Sequence, residues 1–152
     1  MKYFLKITAL LIAATPALAD EGEYMQPVTH DATKAECSAC HMAYPAGFLP
    51  QRSWSRIMTT LDDHYGENAM LDEQTRAEIE SYLTQNAADA SGRSSGLLRG
   101  VAAGNTPLWI SKLPWFTSEH DGEVSRRSLA KAGSMSNCVS CHRDADRGVF
   151  ED

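Results

Sequence analysis

The chain has 152 residues, and its 14 Lys and Arg against 20 Asp and Glu give a formal net charge of −6 at pH 7. Nucleic-acid binding requires clustered Lys and Arg, so this acidic balance argues against it and favours transient partners that present a positive surface. The hydrophobic residues are divided among many short pieces, so a bound apolar group is expected to help fill the core.

The N-terminal segment has the pattern of a secretory signal peptide. Two lysines precede a charge-free run over residues 7–14, and the small-residue triplet Ala17-Leu18-Ala19 closes the segment. The alternative is an uncleaved membrane anchor, but a membrane span needs about 20 apolar residues and this run is interrupted by Pro16. We therefore predict a signal peptide over residues 1–19 and a soluble mature protein in the periplasm of a Gram-negative bacterium.

Two helices are predicted in the first third of the mature chain. Thr33 to Glu36 forms a capping box directly before Cys37, so a helix is expected to begin at about Lys34. Ser53 precedes residues 54–61, whose apolar side chains recur at helical spacing.

Further along the chain, Asp72 is expected to cap a helix over residues 73–86. Ser134 or Ser136 is expected to cap another helix before Cys138. No convincing alternation of apolar and polar residues appears. The sequence therefore predicts a mainly α fold with extensive loop and no substantial sheet.

All four cysteines lie in two copies of the motif Cys-x-x-Cys-His, which are Cys37-Ser-Ala-Cys40-His41 and Cys138-Val-Ser-Cys141-His142. On a helix, positions i, i+3 and i+4 share one face, so the two thiols and the imidazole of each copy can meet one ligand. Two thiols can bond the two vinyl groups of a haem while the histidine binds its iron, which is the c-type attachment signature. The sequence therefore predicts two haem c groups. The expected covalent attachment residues are Cys37, Cys40, Cys138 and Cys141, and the expected iron ligands are His41 and His142.

Three other interpretations of the cysteines are weaker. Disulfides between cysteines three residues apart would close very small loops and would give the histidines no role. A thioredoxin-like site has one Cys-x-x-Cys in a strand-to-helix context. A zinc site usually brings two such pairs about 15 to 20 residues apart, whereas Cys40 and Cys138 are far apart in this chain.

The composition changes to Ala, Ser and Gly between the two motifs, which indicates a linker or surface loop. We therefore predict two small cytochrome c-like haem-binding halves, at residues 20–88 and 106–152. The linker between them is expected at residues 89–105.

The ligand on the far side of each iron separates an electron carrier from a gas-binding or peroxide-cleaving protein. His64 follows a predicted helix and lies beside Gly66, so it is the favoured ligand of the first iron, with Met58 and Met70 as alternatives. His120 has aromatic neighbours suited to a haem wall and is the favoured ligand of the second iron. The remaining candidates are His30, for which a surface position in a polar arm is expected, and the methionines Met25, Met42 and Met135.

Four strings resemble the small bacterial periplasmic dihaem cytochromes c, and they cover residues 36–45, 49–54, 61–69 and 113–120. That resemblance extends over nearly all of the mature chain. It implies two bis-histidine haems, the first iron held by His41 and His64 and the second by His142 and His120. It also implies that electrons pass from a membrane b-type cytochrome to a small monohaem cytochrome that binds oxygen. One departure is the end of the chain at Phe150-Glu-Asp, where the family pattern continues into a short acidic tail that contains proline.

Two function classes follow from these patterns. The favoured one is a monomeric periplasmic electron carrier that forms transient complexes and has no catalytic residues. The alternative is a dihaem peroxidase or small-molecule oxidoreductase with one open or weakly ligated iron, for which Glu119 beside His120 is the candidate acid-base group. The carrier is favoured because each haem has a spare histidine and no further catalytic constellation appears.

Overall fold

The computed structural model describes residues 24–90, 92 and 95–150. Within these ranges the chain forms five short α-helices and no strand longer than an isolated bridge. The α-helices are α1 (Asp31–Cys37), α2 (Gln51–Met58), α3 (Glu73–Gln85), α4 (Pro114–His120) and α5 (Arg126–Ala132). Short 3₁₀ helices cover Ala46–Phe48, Leu61–Asp63, Gly96–Leu98, Ile110–Lys112, Cys138–Ser140 and Ala145–Arg147. The mainly α prediction is confirmed, while the predicted signal peptide lies outside the described residues.

Helix α1 begins three residues earlier than the capping box predicted. His30 is its N-cap, and the His30 ring accepts a hydrogen bond from the backbone N–H of Thr33. The Thr33 side chain is buried in the first turn and bonds to the same ring, so it does not serve as the cap. The predicted start at Lys34 is therefore wrong.

Helices α2 and α3 form the main helix pair of the structure. Helix α2 begins after Pro50 rather than after Ser53, because Ser53 is fully buried inside the first turn. Helix α3 begins where predicted, since the Asp72 carboxylate accepts a hydrogen bond of 3.0 Å from the backbone N–H of Thr75. Both helices turn apolar side chains into the core, which are Trp54, Ile57 and Met58 from α2 and Ile79 and Leu83 from α3.

The segment before the second motif differs from its prediction. Ser125 caps helix α5, which ends at Gly133 in a left-handed conformation with φ of +79°. Ser134 instead accepts a hydrogen bond from the backbone N–H of Ser136, in a local turn. No helix capped by Ser134 or Ser136 forms, so that prediction is wrong.

One hydrophobic cluster contains residues from both predicted halves. It joins the buried faces of α2 and α3 to Leu113 and Phe116 at the start of α4. Leu98, inside the predicted linker, is also buried. The division of the chain at residues 89–105 stays a prediction.

Among the helices of the described ranges, none is long and apolar enough to cross a membrane.

The N-terminal arm, residues 24–30, contacts the segments that follow both haem motifs, and Met25 makes these contacts. The backbone N–H of Met25 donates a hydrogen bond of 2.8 Å to the carbonyl oxygen of Gly148. Gly47 and Gly148 each lie six residues after a motif histidine, and both lie against Met25. A Cβ added at Gly148 would lie 1.9 Å from the Met25 carbonyl oxygen, so the arm can approach only because this residue is glycine.

Candidate haem-binding sites

Turns, rather than continuous α-helices, bring the residues of each Cys-x-x-Cys-His motif together. Cys37 is the last residue of α1, and a turn leads from it to His41. In the second motif the backbone N–H groups of Cys141 and His142 donate to the carbonyl oxygen of Cys138, at 3.0 and 2.8 Å. The motifs are therefore not continuous α-helices as expected, although in the second motif a single turn brings Cys138, Cys141 and His142 close together.

The four cysteines form no disulfide, and Cys37 and Cys138 do not resemble reactive thiols. All four are free of disulfides. Burial, with a smaller contribution from the Glu36 carboxylate, raises the pKa of the Cys37 thiol, and burial likewise raises the pKa of Cys138. Reactive thiols of the thioredoxin type have a lowered pKa instead. No cluster of three or more His, Cys, Asp or Glu residues that could hold a metal ion occurs among the described residues.

The first motif histidine faces His64. The ring centroids of His41 and His64 lie 6.2 Å apart, and the planes differ by 25°. A metal ion bound at about 2 Å from one nitrogen of each ring separates the centroids by roughly 6 Å. Burial, followed by the nearby His41, lowers the pKa of His64 and favours the neutral imidazole, which is the form that binds metals. The pair therefore fits an iron between its two rings.

The second motif histidine faces His120, the last residue of α4. The ring centroids of His120 and His142 lie 6.1 Å apart, and the planes are nearly perpendicular at 87°. Phe116 stacks on His120 at 3.9 Å, with the two planes 11° apart, and so fixes the orientation of this imidazole. This pair meets the same distance requirement as the first pair.

Backbone carbonyl groups orient one imidazole of each pair. The Nδ1–H of His41 donates to the Met42 carbonyl oxygen at 2.6 Å, and the Nδ1–H of His120 donates to the Phe116 carbonyl oxygen at 2.8 Å. A proton held on Nδ1 leaves the Nε2 lone pair available to a metal. The residues present thus fit a six-coordinate haem iron at both motifs.

The competing ligand candidates lie elsewhere. His30 is half-buried rather than exposed, since its Nδ1 bonds to Thr33, its Nε2 bonds to Glu78 at 2.9 Å, and its ring stacks on Tyr82. Both of its ring nitrogens are therefore engaged away from the motifs. Met58 is buried in the core and Met70 is exposed.

Sequence reasoning did not single out the tyrosines that contact the histidine pairs. Tyr44 stacks on His41, and Tyr65 meets His64 edge-to-face, both at 4.8 Å between ring centroids. Tyr65 also contacts the exposed ring of Trp109 and donates its hydroxyl to the Leu108 carbonyl oxygen. Burial is the main cause that raises the pKa of Tyr44 to about 12. The His-x-x-Tyr spacing of residues 41–44 was the only signal in the sequence that could have indicated the first contact.

Comparison with known proteins identifies the family to which the chain belongs. A family model described as dihaem cytochrome c matches residues 33–150. The fold is similar to a diheme cytochrome c from Rhodobacter sphaeroides, with 56% identity, a TM-score of 0.79, and coverage of 82% of this chain and 99% of the other. A second structure, of the protein purified from Rhodobacter sphaeroides, matches with 55% identity, a TM-score of 0.71 and the same coverage.

A more distant likeness is to the diheme cytochrome c of Shewanella baltica OS155, with 38% identity, a TM-score of 0.64, and coverage of 80% of this chain and 86% of the other. A search of curated protein sequences finds no match. The chain therefore belongs to the dihaem cytochrome c family and carries two haem c groups in an electron-carrier role.

Proposed function

We propose that this protein passes electrons between redox partner proteins in the periplasm through two bis-histidine haems. The observation that carries the proposal is the equal spacing of the two histidine pairs, 6.2 Å for His41 with His64 and 6.1 Å for His142 with His120. Two independent pairs at the distance that one iron requires support two six-coordinate centres with no position left for a substrate.

In this proposal the chain holds each haem at four points, two cysteines and two histidines, and leaves the redox chemistry to the haem. Each haem supplies one iron that accepts and returns a single electron. Cys37 and Cys40 hold the first haem through thioethers, and Cys138 and Cys141 hold the second. Imidazole on both sides keeps the potential lower than a thioether ligand would, because Met ligation raises it.

The competing enzymatic function requires an acid-base group above an open iron. Glu119 is the candidate, but it lies on a different face of α4 from His120, which stacks on Phe116. Glu119 lines a surface cavity with Arg99 and Trp115, and neither histidine of the second pair belongs to that lining. This position supports the carrier over a peroxidase.

The partners and the location belong to the same proposal. A membrane b-type cytochrome as electron donor and a small monohaem cytochrome as acceptor suit a chain with no catalytic constellation, and the net charge of −6 suits partners with a positive contact surface. The signal pattern over residues 1–19 supports export of the mature chain.

The visible and near-infrared absorption spectra of the oxidised and reduced protein test the proposal. We expect two low-spin haems per chain, no sulfur-to-iron band in the near infrared, and no carbon monoxide binding to the reduced protein. Stoichiometric carbon monoxide binding at one haem in the unmodified protein would contradict the six-coordinate carrier and would favour the enzyme.

A further inference from the structure

Tyr44 contacts His41 of the first haem-binding motif and Ser136, which lies two residues before the second motif. Its ring stacks on His41, with centroids 4.8 Å apart and planes 20° apart. Its hydroxyl donates a hydrogen bond of 2.7 Å to the carbonyl oxygen of Ser136, 92 residues further along the chain. One side chain therefore joins the iron-ligand side of the first motif to the entry of the second.

The Ser136 carbonyl oxygen continues this connection to an attachment residue of the second haem. The Cys138 sulfur lies 3.6 Å from that oxygen, which also accepts the Tyr44 hydroxyl. The contacts therefore run without a gap from the His41 ring, through the Tyr44 ring and hydroxyl, to the Ser136 carbonyl and the Cys138 sulfur. The Tyr44 side chain is half-buried.

We propose that Tyr44 is a positioning residue that couples the two haems, so that an electron moves within the molecule by way of the contacts from His41 to Cys138. The inference rests on the proposed carrier function. The step moves one electron from a ferrous to a ferric iron, so one iron is oxidised as the other is reduced. No bond forms or breaks and no proton is transferred.

The ring and the hydroxyl of Tyr44 make separate contacts in the proposed coupling of the two haems. The aromatic ring provides the stacked contact with His41, and the hydroxyl provides the directed contact with Ser136. The hydroxyl acts as the donor, since its oxygen lies 2.7 Å from the Ser136 carbonyl oxygen, which can only accept. Phenylalanine removes the second contact alone, and leucine removes both.

The test measures intramolecular electron exchange in the half-reduced holoprotein, by two-dimensional exchange NMR of the haem methyl signals. We expect Tyr44→Phe to slow the exchange several-fold and Tyr44→Leu to slow it further. Tyr65→Phe is the matched control, because the Tyr65 hydroxyl also donates to a carbonyl oxygen and its ring also contacts a first-haem histidine, but its contacts lead to Leu108 and Trp109. Exchange in Tyr65→Phe should match that of the unmodified protein.

A second measurement separates coupling from a merely structural effect. Pulsed EPR on the oxidised variants reports the distance between the two irons, and visible spectra report whether both haems are attached. Slower exchange at an unchanged distance supports the inference. Unchanged exchange in both Tyr44 variants overturns it, and so does slower exchange that an increased distance explains. The carrier proposal is decided separately by the spectrum of the unmodified protein.

Discussion

The two predicted haem-binding halves, residues 20–88 and 106–152, differ in how much apolar core the described polypeptide builds by itself. Of the sixteen buried hydrophobic residues in the described ranges, twelve lie within residues 24–88, and only Leu113, Phe116 and Ala145 lie within residues 106–150. The first half also contains the 13-residue helix α3, whereas α4 and α5 have seven residues each. Helices of that length are marginal alone. The comparison indicates that the second half depends more strongly on its haem for a core.

The largest expected effect is loss of the second haem. The double substitution Cys138→Ser with Cys141→Ser should remove that haem and abolish amide-exchange protection over residues 126–142, because little protein core remains there. The α2 and α3 amides should stay protected. The matched variant, Cys37→Ser with Cys40→Ser, should leave α2 and α3 more protected than α5 is in the first variant. Equal loss of protection in the two variants would contradict the difference between the halves.

Removing one far-side histidine at a time tests which ligand binds each iron. His120→Ala should open the second iron, giving one high-spin haem and one equivalent of bound carbon monoxide while the first haem stays low-spin. His64→Met should raise the potential of the first haem alone, because a thioether ligand favours the reduced iron. His30→Ala serves as the control, since both its ring nitrogens bond to protein groups. An iron opened by His30→Ala would show that the ligand assignment is wrong.

The two glycines beside the N-terminal arm differ in what a side chain would meet. Gly148→Ala should lower the free energy of unfolding by about 2 to 4 kcal/mol, because its φ is +83° and the new Cβ meets the Met25 carbonyl oxygen at 1.9 Å. Gly47→Ala should cost about 1 kcal/mol, since its Cβ meets only the flexible end of Met25 at 3.0 Å. Urea unfolding followed by circular dichroism measures both. Equal losses would argue against the close backbone approach.

The ring planes of the two histidine pairs predict two different EPR signals from the oxidised protein. Nearly parallel imidazole planes, 25° apart at the first pair, give a rhombic low-spin signal, whereas nearly perpendicular planes, 87° apart at the second, give a signal with a larger maximum g value. In His120→Ala the large-g signal should disappear and the rhombic signal should remain. Two identical rhombic signals in the unmodified protein would contradict the perpendicular arrangement.

The smallest expected effect concerns pH and the first half only. Hydrogen bonds from Thr75 lower the pKa of the Asp72 carboxyl at the start of α3. A carboxyl with a lowered folded-state pKa stabilises the fold above its unfolded pKa, and that contribution is lost as the pH falls through the folded value. Asp72→Asn keeps a capping oxygen without the titration, so it should reduce the acid dependence of the thermal midpoint slightly. An unchanged pH profile would show that the ionisation of Asp72 contributes nothing to the pH dependence of stability.

Local chemistry explains which parts of the fold the sequence could predict. The Asp72 cap was predictable because its acceptor and donor lie three residues apart. The start of α1 was not, because Thr33 is buried and His30, a residue outside the usual cap set, takes its place. The turn before Cys138 was mispredicted because Gly133 ends α5 before either serine can begin a helix.

In the candidate sites, too, some features could be predicted from the sequence and others depend on packing. Few nitrogen donors remain once the motif histidines are assigned, so the sequence could nominate His64 and His120 without any knowledge of packing. The angle between the rings of each pair and the contact of Tyr44 with Ser136 depend on how distant segments pack. No spacing in the sequence records that packing.

The bond between Met25 and Gly148 also constrains when the fold can be completed. Met25 and Gly148 are joined although almost all of the described chain separates them. Chains are synthesised from the N-terminus, so this bond can form only after Gly148 has been made. Haem attachment at Cys37 and Cys40 can therefore precede formation of the bond between Met25 and Gly148, which joins a residue before the first motif to a residue after the second.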